Sequence, residues 1–565
     1  MKRWLKETHG PTFELLRHFL RRFFDSDMIT SPGEMMPVLI GILPVFFQWF
    51  LLLIIISPLK HKYAYLSKLP LPGPYLEAVR ADELWLITLM MSAIGLLTAV
   101  KWQTLFPDLR DYRALGTLPL RPQQIFGAKL TALLLIATAA VITVNFLPSV
   151  GFPAISASHW ALQPSLGARV LAHAGASMAG CCFFFFGLVA LQGVLLNVLR
   201  PRAFGRVTGY LQGLLVGLML GLVVLSFSIQ PQIASVVLRP EWARWLPPVW
   251  FLGLYQTFSG DTDPALRMLA NRALAALSTA VVVAFLTYLI SYRRHRTLLM
   301  EGTSGRSKKW RLGGILPACV SRHPREQAVI AFMLQTLGRS NHHRMVLMGY
   351  GGLGFALLLT GVAAMGSAFK PERVLAADFV YYHLLALLFL LVAARHLFSL
   401  PTELKANWIF QIMEGEGRVE WLRAVDRFVL VWGAAPLLLI PLPAEVQLLG
   451  LRGVAETALF LVLGLLAYEW IFRSWDKLPF TCSHLPGKTP VWMILAFFGF
   501  FGALALVHAL LLATLYNELL FAGLLAMMLA VRVPIRRARR ERWEEVRLKY
   551  EEVPEPAVHA LNLLK

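Results

Sequence analysis

Charge is what this chain has least of: Asp, Glu, Lys and Arg make up 15% of its 565 residues, against 57% hydrophobic residues and a mean hydropathy of +0.59. Soluble domains carry about 25% charged residues, so a water-facing surface is excluded for most of the chain and an integral membrane protein is expected. Cysteine is equally scarce. Cys181 and Cys182 are neighbours inside an apolar run, while Cys319 and Cys482 stand far apart, which gives neither a disulfide framework nor zinc-ligand spacing. Behind the basic N-terminus (Lys2, Arg3, Lys6) there is no short apolar core but a charged amphipathic stretch, unlike a cleaved signal peptide.

Two further absences narrow the function. Coupling-ion transport needs ionisable groups at membrane depth, and the apolar runs hold few: His173, His383, Glu456 and His508, each in a different run, with Glu469 and Glu518 near run ends. These read as satisfied interhelical or interface groups. An ATPase of its own would need G-x-x-x-x-G-K-[ST] between a strand and a helix. The nearest match, Gly487-Lys488-Thr489, has Cys482 where the first glycine belongs. The loop from Gln230 to Ala270 offers Glu241, Asp261 and Asp263 among Trp242, Trp245 and Trp250, which reads as an interfacial belt before it reads as a hydrolase centre. His342-His343 beside Arg344 suits a charged span entrance better than a metal site.

What is present is length of apolar run. Twelve apolar segments can be placed as spans, most of them near the roughly 20 residues a bilayer needs and the last one short: Met36–Ile56, Leu84–Leu105, Lys129–Leu147, Gly167–Leu199, Gly209–Ile229 and Asn271–Tyr292, then Met345–Met365, Phe379–Leu400, Phe428–Ala444, Gly453–Phe472, Val491–Ala513 and Tyr516–Val531. The expected fold is an all-α polytopic membrane protein with about 12 transmembrane helices in two six-helix halves. Most of the 54 Lys and Arg fall in alternate connections, which places both termini in the cytoplasm of a bacterial-type inner (plasma) membrane. The net charge of +21 thus faces anionic lipid and does not imply nucleic acid.

The halves share an order of features. Before the first span, Phe13, Leu16, Leu20, Phe23 and Phe24 recur at helical spacing opposite Glu14, Arg17, Arg21 and Asp25, as in an in-plane interfacial helix. Before the seventh, Val329, Phe332, Met333 and Leu337 recur similarly. In each half the second span ends at a proline with an acid close behind, Pro107-Asp108 and Pro401-Thr402-Glu403, before a polar stretch leads to the third. The expected organisation is a cytoplasmic N-terminus with interfacial helix (1–35), a first half (36–292), a basic linker with a second interfacial helix (293–344), a second half (345–531) and a charged cytoplasmic tail (532–565).

Three stretches carry a resemblance: "DYRALGTLPLRPQQIFGAKL" after span two, the amphipathic helix before span one, and "LPPVWFLGLY" before span six. Together they make the chain resemble the type-2 ABC exporter permeases over most of Thr12–Tyr292. The resemblance implies that Asp108 to Pro122 is a coupling element, with Asp108, Arg110, Asp111, Arg113, Leu118 and Pro119 at the ATPase contact. It makes Phe13, Leu16, Leu20 and Phe23 part of a connecting helix, and Trp245, Pro247, Pro248 and Trp250 part of re-entrant helices in an outer gate, Arg239 to Asp263. For the second half it implies a connecting helix over Glu326 to Arg339 and a coupling element from Glu403 to Arg427, with Glu403, Arg418 and Arg423. That second loop departs from the pattern in lacking "TLPL", and Thr514-Leu515 leaves no room for a second outer helix pair.

The implied partners are ABC ATPase subunits, two copies, which would hold the ATP and Mg; the chain itself is expected to bind no cofactor, no metal and no nucleic acid, and to contact membrane lipids. An aromatic and apolar path would suit an amphiphilic or lipid-like cargo. A membrane scaffold that docks a partner without transport, and a polytopic enzyme acting on lipids or glycans, are the competing classes.

Overall fold

A computed structural model describes residues 2–24, 58–106, 115, 121–163, 165–228, 241–300, 315–365, 372–402, 404, 407–414, 417–483, 510, 513–514, 517–545 and 547–551. Among these, regular structure is helical apart from one isolated bridge between Lys477 and Lys549. Nine of their helices are long and apolar enough to cross a membrane. The protein is therefore an all-α polytopic membrane protein. The proposed first and eleventh spans and His508 lie outside the described residues. The chain divides into two compact units, Met1–Arg306 and Ser307–Lys565, so the break falls inside the basic linker and the second interfacial helix belongs with the second unit.

The first unit comprises α1 (Lys2–Phe24), α2 (Gly73–Val100), α3 (Pro122–Ile155), α4 (Leu166–Val198), α5 (Pro201–Ser228), α6 (Pro247–Phe258) and α7 (Pro264–Met300). Prolines open α3, α5, α6 and α7, where the missing N–H is no loss, and Ser165 caps α4 by accepting from the Ala168 N–H. The axis of the unit is α2, with 67% of its apolar window buried against 50% for α4 and 28% for α7. Apolar burial does not drive helices together in lipid, so close approach and hydrogen bonds must. Gly180 of α4 therefore meets Met91 and Phe251, and Gly193 meets Thr287 of α7. Asn197 Nδ2 donates to Ser291 Oγ at 2.9 Å across the same crossing.

Helix α6, with 12 residues, is about 18 Å long and cannot cross a core of about 30 Å. It lies instead against α7, α4 and α2 through Phe251, Leu252 and Leu254, all buried, and reverses into α7 through Gly260, whose φ of 86° suits glycine.

The second unit comprises α8 (Pro324–Arg339), α9 (Asn341–Met365), α10 (Glu372–Ser399), α11 (Arg418–Phe428), α12 (Leu451–Ile471) and α13 (Glu518–Glu545). Two expectations change here. The ninth span, read as one run over Phe428–Ala444, lies within the span Arg418–Gln447 but is not a regular α-helix: a π-helical turn at Val429–Ala434 leads to the short helices Ala435–Leu439 and Leu442–Leu449. Pro436, Pro441 and Pro443 remove three donors from that ladder, which forces the register change. The twelfth span does not end at Val531. Helix α13 runs unbroken through Pro534 to Glu545, so the first part of the charged tail is a rigid extension of a span.

Candidate functional site

Sequence and resemblance direct attention to two places in each unit: the packing of the interfacial helix, and the polar groups buried at the N-terminal end of the second-span helix.

In the first unit α1 lies along the start of α3. Leu15 and Phe19 are buried with Leu115, Ile125, Ala128 and Ala132, and Leu16 and Leu20 pack at the edge. Lys129 Nζ sits 4.8 Å from the centre of the Phe19 ring, a cation–π contact. The buried stripe thus centres on Leu15 and Phe19, not on the expected face. Phe13, Leu16 and Leu20 are half-buried beside it, because the apolar arc is wider than one helix contact and its outer part is left for lipid. Phe23 lies in α1, but its side chain is outside the described ones. Asp108, Arg110, Asp111, Arg113, Leu118 and Pro119 also lie outside the described residues, as does Glu403. Leu115, from the same loop, is buried against α1.

In the second unit α8 packs on α11. Glu326, with no exposed surface, accepts from Arg427 at 2.7 Å and from Ser321 Oγ at 2.5 Å, and Arg423 Nη1 stands 3.7 Å away. Arg325 pairs with Glu420 at 3.5 Å. A carboxylate taken wholly out of water costs several kcal/mol unless it is paired; Arg427 and Ser321 both meet Oε2 here, while Oε1 has no hydrogen bond and faces the Arg423 charge at 3.7 Å. Arg418 donates to the Glu544 carbonyl at 2.9 Å. Of the expected coupling residues, then, Arg418 and Arg423 brace helices of their own unit. Asp426 on α11 extends the brace: it accepts from Arg539 at 2.7 Å and from Tyr468, and the Arg539 guanidinium lies 4.9 Å from the Tyr468 ring and 5.1 Å from that of Trp543.

Of the buried polar groups, His173, His383, Glu456 and Glu469 were visible in the sequence, whereas Asp82, Glu83 and Glu445 were not. In α2, Asp82 and Glu83 have no exposed surface. His173 Nδ1 of α4 lies 2.9 Å from the Glu83 carboxylate, and both side chains are fully enclosed. Lys62 Nζ donates to Asp82 at 2.8 Å and the Tyr63 hydroxyl donates at 2.7 Å. Burial first, then the charge of Asp82, pushes the Tyr63 phenol well above its ordinary value, so it remains a donor. Arg80 reaches Asp261 at 2.7 Å, tying α2 to the turn after α6.

In the second unit His383 of α10 takes the position Glu83 has in α2, at nearly the same depth in a helix of the same 28-residue length. Its Nδ1 meets Glu445, and its Nε2 donates to the Leu437 carbonyl at 2.8 Å. Thr457 donates to the other Glu445 oxygen at 2.6 Å. Because Leu437 can only accept, Nε2 is the donor of that bond. Glu456 is buried one helical step from Thr457, and Glu469 pairs with Arg532 at 3.1 Å.

A span drawn to begin at Leu84 left Asp82 and Glu83 outside the membrane, and one ending at Ala444 did the same for Glu445. The adjacent acids of "RADELWLI" inside a long apolar helix were the available signal.

At the expected outer gate, Pro247 and Pro248 open α6 half-buried, and Trp250 Nε1 donates to the Arg244 carbonyl at 2.9 Å. Trp245 is 72% exposed with Arg272 stacked 5.3 Å from its ring, the posture of an interfacial tryptophan. No group of three or more His, Cys, Asp or Glu that would hold a metal occurs among the described residues. No protein-family model matches the chain, and neither a curated protein nor a solved structure matches it significantly.

Proposed function

We propose that this chain is the transmembrane permease of an ATP-driven exporter, with both six-span halves fused in one polypeptide of about 12 spans, working with separate ATP-binding subunits. It lies in a bacterial-type inner membrane with both termini cytoplasmic. The observation that carries the reading is a recurrence. In each unit an amphipathic helix packs against the first turns of the helix that follows the loop after the second span, α1 on α3 and α8 on α11. That arrangement gives a cytoplasmic partner two levers, each joined to a spanning helix by packed side chains, and buried Glu83–His173 and His383–Glu445 contacts tie the far ends.

The work follows from linkage. ATP-driven closure of a partner pair draws the two cytoplasmic levers together, and rigid helices carry that displacement across the membrane. The substrate class that suits the apolar lining is amphiphilic or lipid-like. ATP and Mg belong to the partner subunits.

Co-expression with an ATPase encoded beside this chain should give a stable complex with transport-coupled hydrolysis. Arg110→Glu with Arg113→Glu should release ATP hydrolysis from transport while the membrane fold is retained. Normal coupling in that double variant would remove the loop from the contact, and failure of any ATPase to bind would favour the scaffold or enzyme classes.

A further inference from the structure

Helix α13 leaves the apolar zone through a groove that the reading above does not use. Leu529, Val533, Arg532, Arg536, Arg537, Arg540, Glu541 and Glu544 enclose about 460 Å³ along one side of the helix. Its rotation is fixed by the adjoining face: Arg532, at the edge of the groove, on Glu469, Arg539 on Asp426 and Tyr468, and Trp543 buried. The groove therefore runs beside the docked face and cannot turn inward.

Its chemistry is ordered along the axis. Leu529 and Val533 come first. Arg536 and Arg540 follow, about 10 and 16 Å further on than Leu529 at 1.5 Å per residue. Both are exposed, and neither has an ion pair among the described residues. Arg537 is already paired with Glu541 at 2.9 Å. Glu544 comes last, about 6 Å beyond Arg540, exposed and with no ion pair among the described residues. Two guanidinium groups one helical turn apart on the same side of the helix can converge as a multi-donor set on a phosphate placed between them. An apolar wall below them fits acyl chains, and a carboxylate above them fits an ammonium. Apolar stem, phosphate and ammonium in that order are the parts of a zwitterionic aminophospholipid.

We propose that the groove on α13 formed by Leu529, Val533, Arg536, Arg540 and Glu544 is a binding site for a phosphatidylethanolamine-type phospholipid. Arg536 and Arg540 hold the phosphate, and Glu544 reads the ammonium. A merely basic patch would prefer an anionic lipid; Glu544 at the end of the groove sets the preference the other way. Because the same helix braces α11 through Arg539 and Asp426, an occupied groove also anchors α11 at the membrane surface.

The test is native mass spectrometry of the full chain in detergent, titrated separately with phosphatidylethanolamine, phosphatidylglycerol and phosphatidylcholine. The wild type should retain phosphatidylethanolamine preferentially, and Arg536→Gln with Arg540→Gln should lower that retention by about tenfold, the scale of two charge-assisted hydrogen bonds. Glu544→Gln should abolish the preference over phosphatidylglycerol while leaving phosphatidylglycerol binding intact. Arg322→Gln, exposed and outside the groove, should change nothing. Equal retention of all three lipids by the wild type, or unchanged retention in the arginine double variant, overturns the site. Displacement of the lipid by soluble O-phosphoethanolamine at equal concentration would make this a headgroup-metabolite site and overturn the lipid assignment. If the arginine double variant keeps its lipid and loses the ATPase, the groove is a partner surface and the proposal is wrong.

Discussion

The Glu83–His173 contact is the most consequential pair of side chains in the first unit. Both groups are fully enclosed, and His173 Nε2 has no hydrogen-bond partner among the described residues. Removing one member strands the other. Glu83→Ala or His173→Ala should therefore lower stability in detergent by about 3 kcal/mol, the usual scale for breaking a buried pair, read as a drop in thermal midpoint. The double variant Glu83→Leu with His173→Leu should cost less than the two single losses combined, since it leaves nothing buried and unmatched. Additive losses would show that the pair is not coupled. Sequence reading found His173 and His383 as the ionisable groups inside apolar runs, because a histidine surrounded by twenty apolar neighbours stands out. It missed Glu83 and Glu445 because both sit where a hydropathy boundary is drawn, and the contact that lets an acid stay inside is made by a residue 90 or 62 positions away.

The elements themselves were far more legible than their partners. Long apolar runs and the proline at Pro122 marked helices that are present, while the π-helical turn in the ninth run was not read from its three prolines, Pro436, Pro441 and Pro443. The amphipathic stretch 326–339 was legible as a helix, but not that its Glu326 would be sealed against Arg427 of another helix. The entry to α9 shows what such sealing does to pH response. His343, two residues ahead of the apolar run that begins at Met345, donates from Nε2 to the Leu400 carbonyl at 3.0 Å, so its Nδ1 accepts from Ser340 Oγ at 2.7 Å. The imidazole is neutral in this arrangement, and burial first, with His342 beside it, lowers its affinity for a proton. The unfolded chain then binds more protons than the folded one below the ordinary histidine value of about 6.5, so the contribution of His343 is complete above that pH and is lost as pH falls through it. In chemical unfolding followed from about pH 7.5 to about pH 5.5, the wild type should lose its stability advantage over His343→Gln. An advantage constant across that range would mean that His343 does not titrate against the fold.

At the scale of the whole molecule, two units of similar parts raise the question of whether both take part in energy coupling. Each has its own amphipathic helix, its own second-span helix with a buried acid–histidine contact, and its own helix rising from the loop after span two. They are not copies: the first unit has the acid on the second span and the histidine on the fourth, whereas the second unit has the histidine on the eighth span and the acid near the end of the ninth. The two contacts join different pairs of spans, so the likeness between the units lies in the order of features and not in their residues. If both levers are used, one chain should bind two ATPase subunits, and the mass of the purified complex by light scattering should equal one permease plus two ATPases. Glu326→Ala, which leaves Arg423 and Arg427 without the carboxylate that joins α8 to α11, should then loosen the second lever alone and yield a complex with one ATPase, while the first unit keeps its partner. A wild-type complex with a single ATPase, unaltered by Glu326→Ala, would show that the second unit takes no part in binding the ATPase.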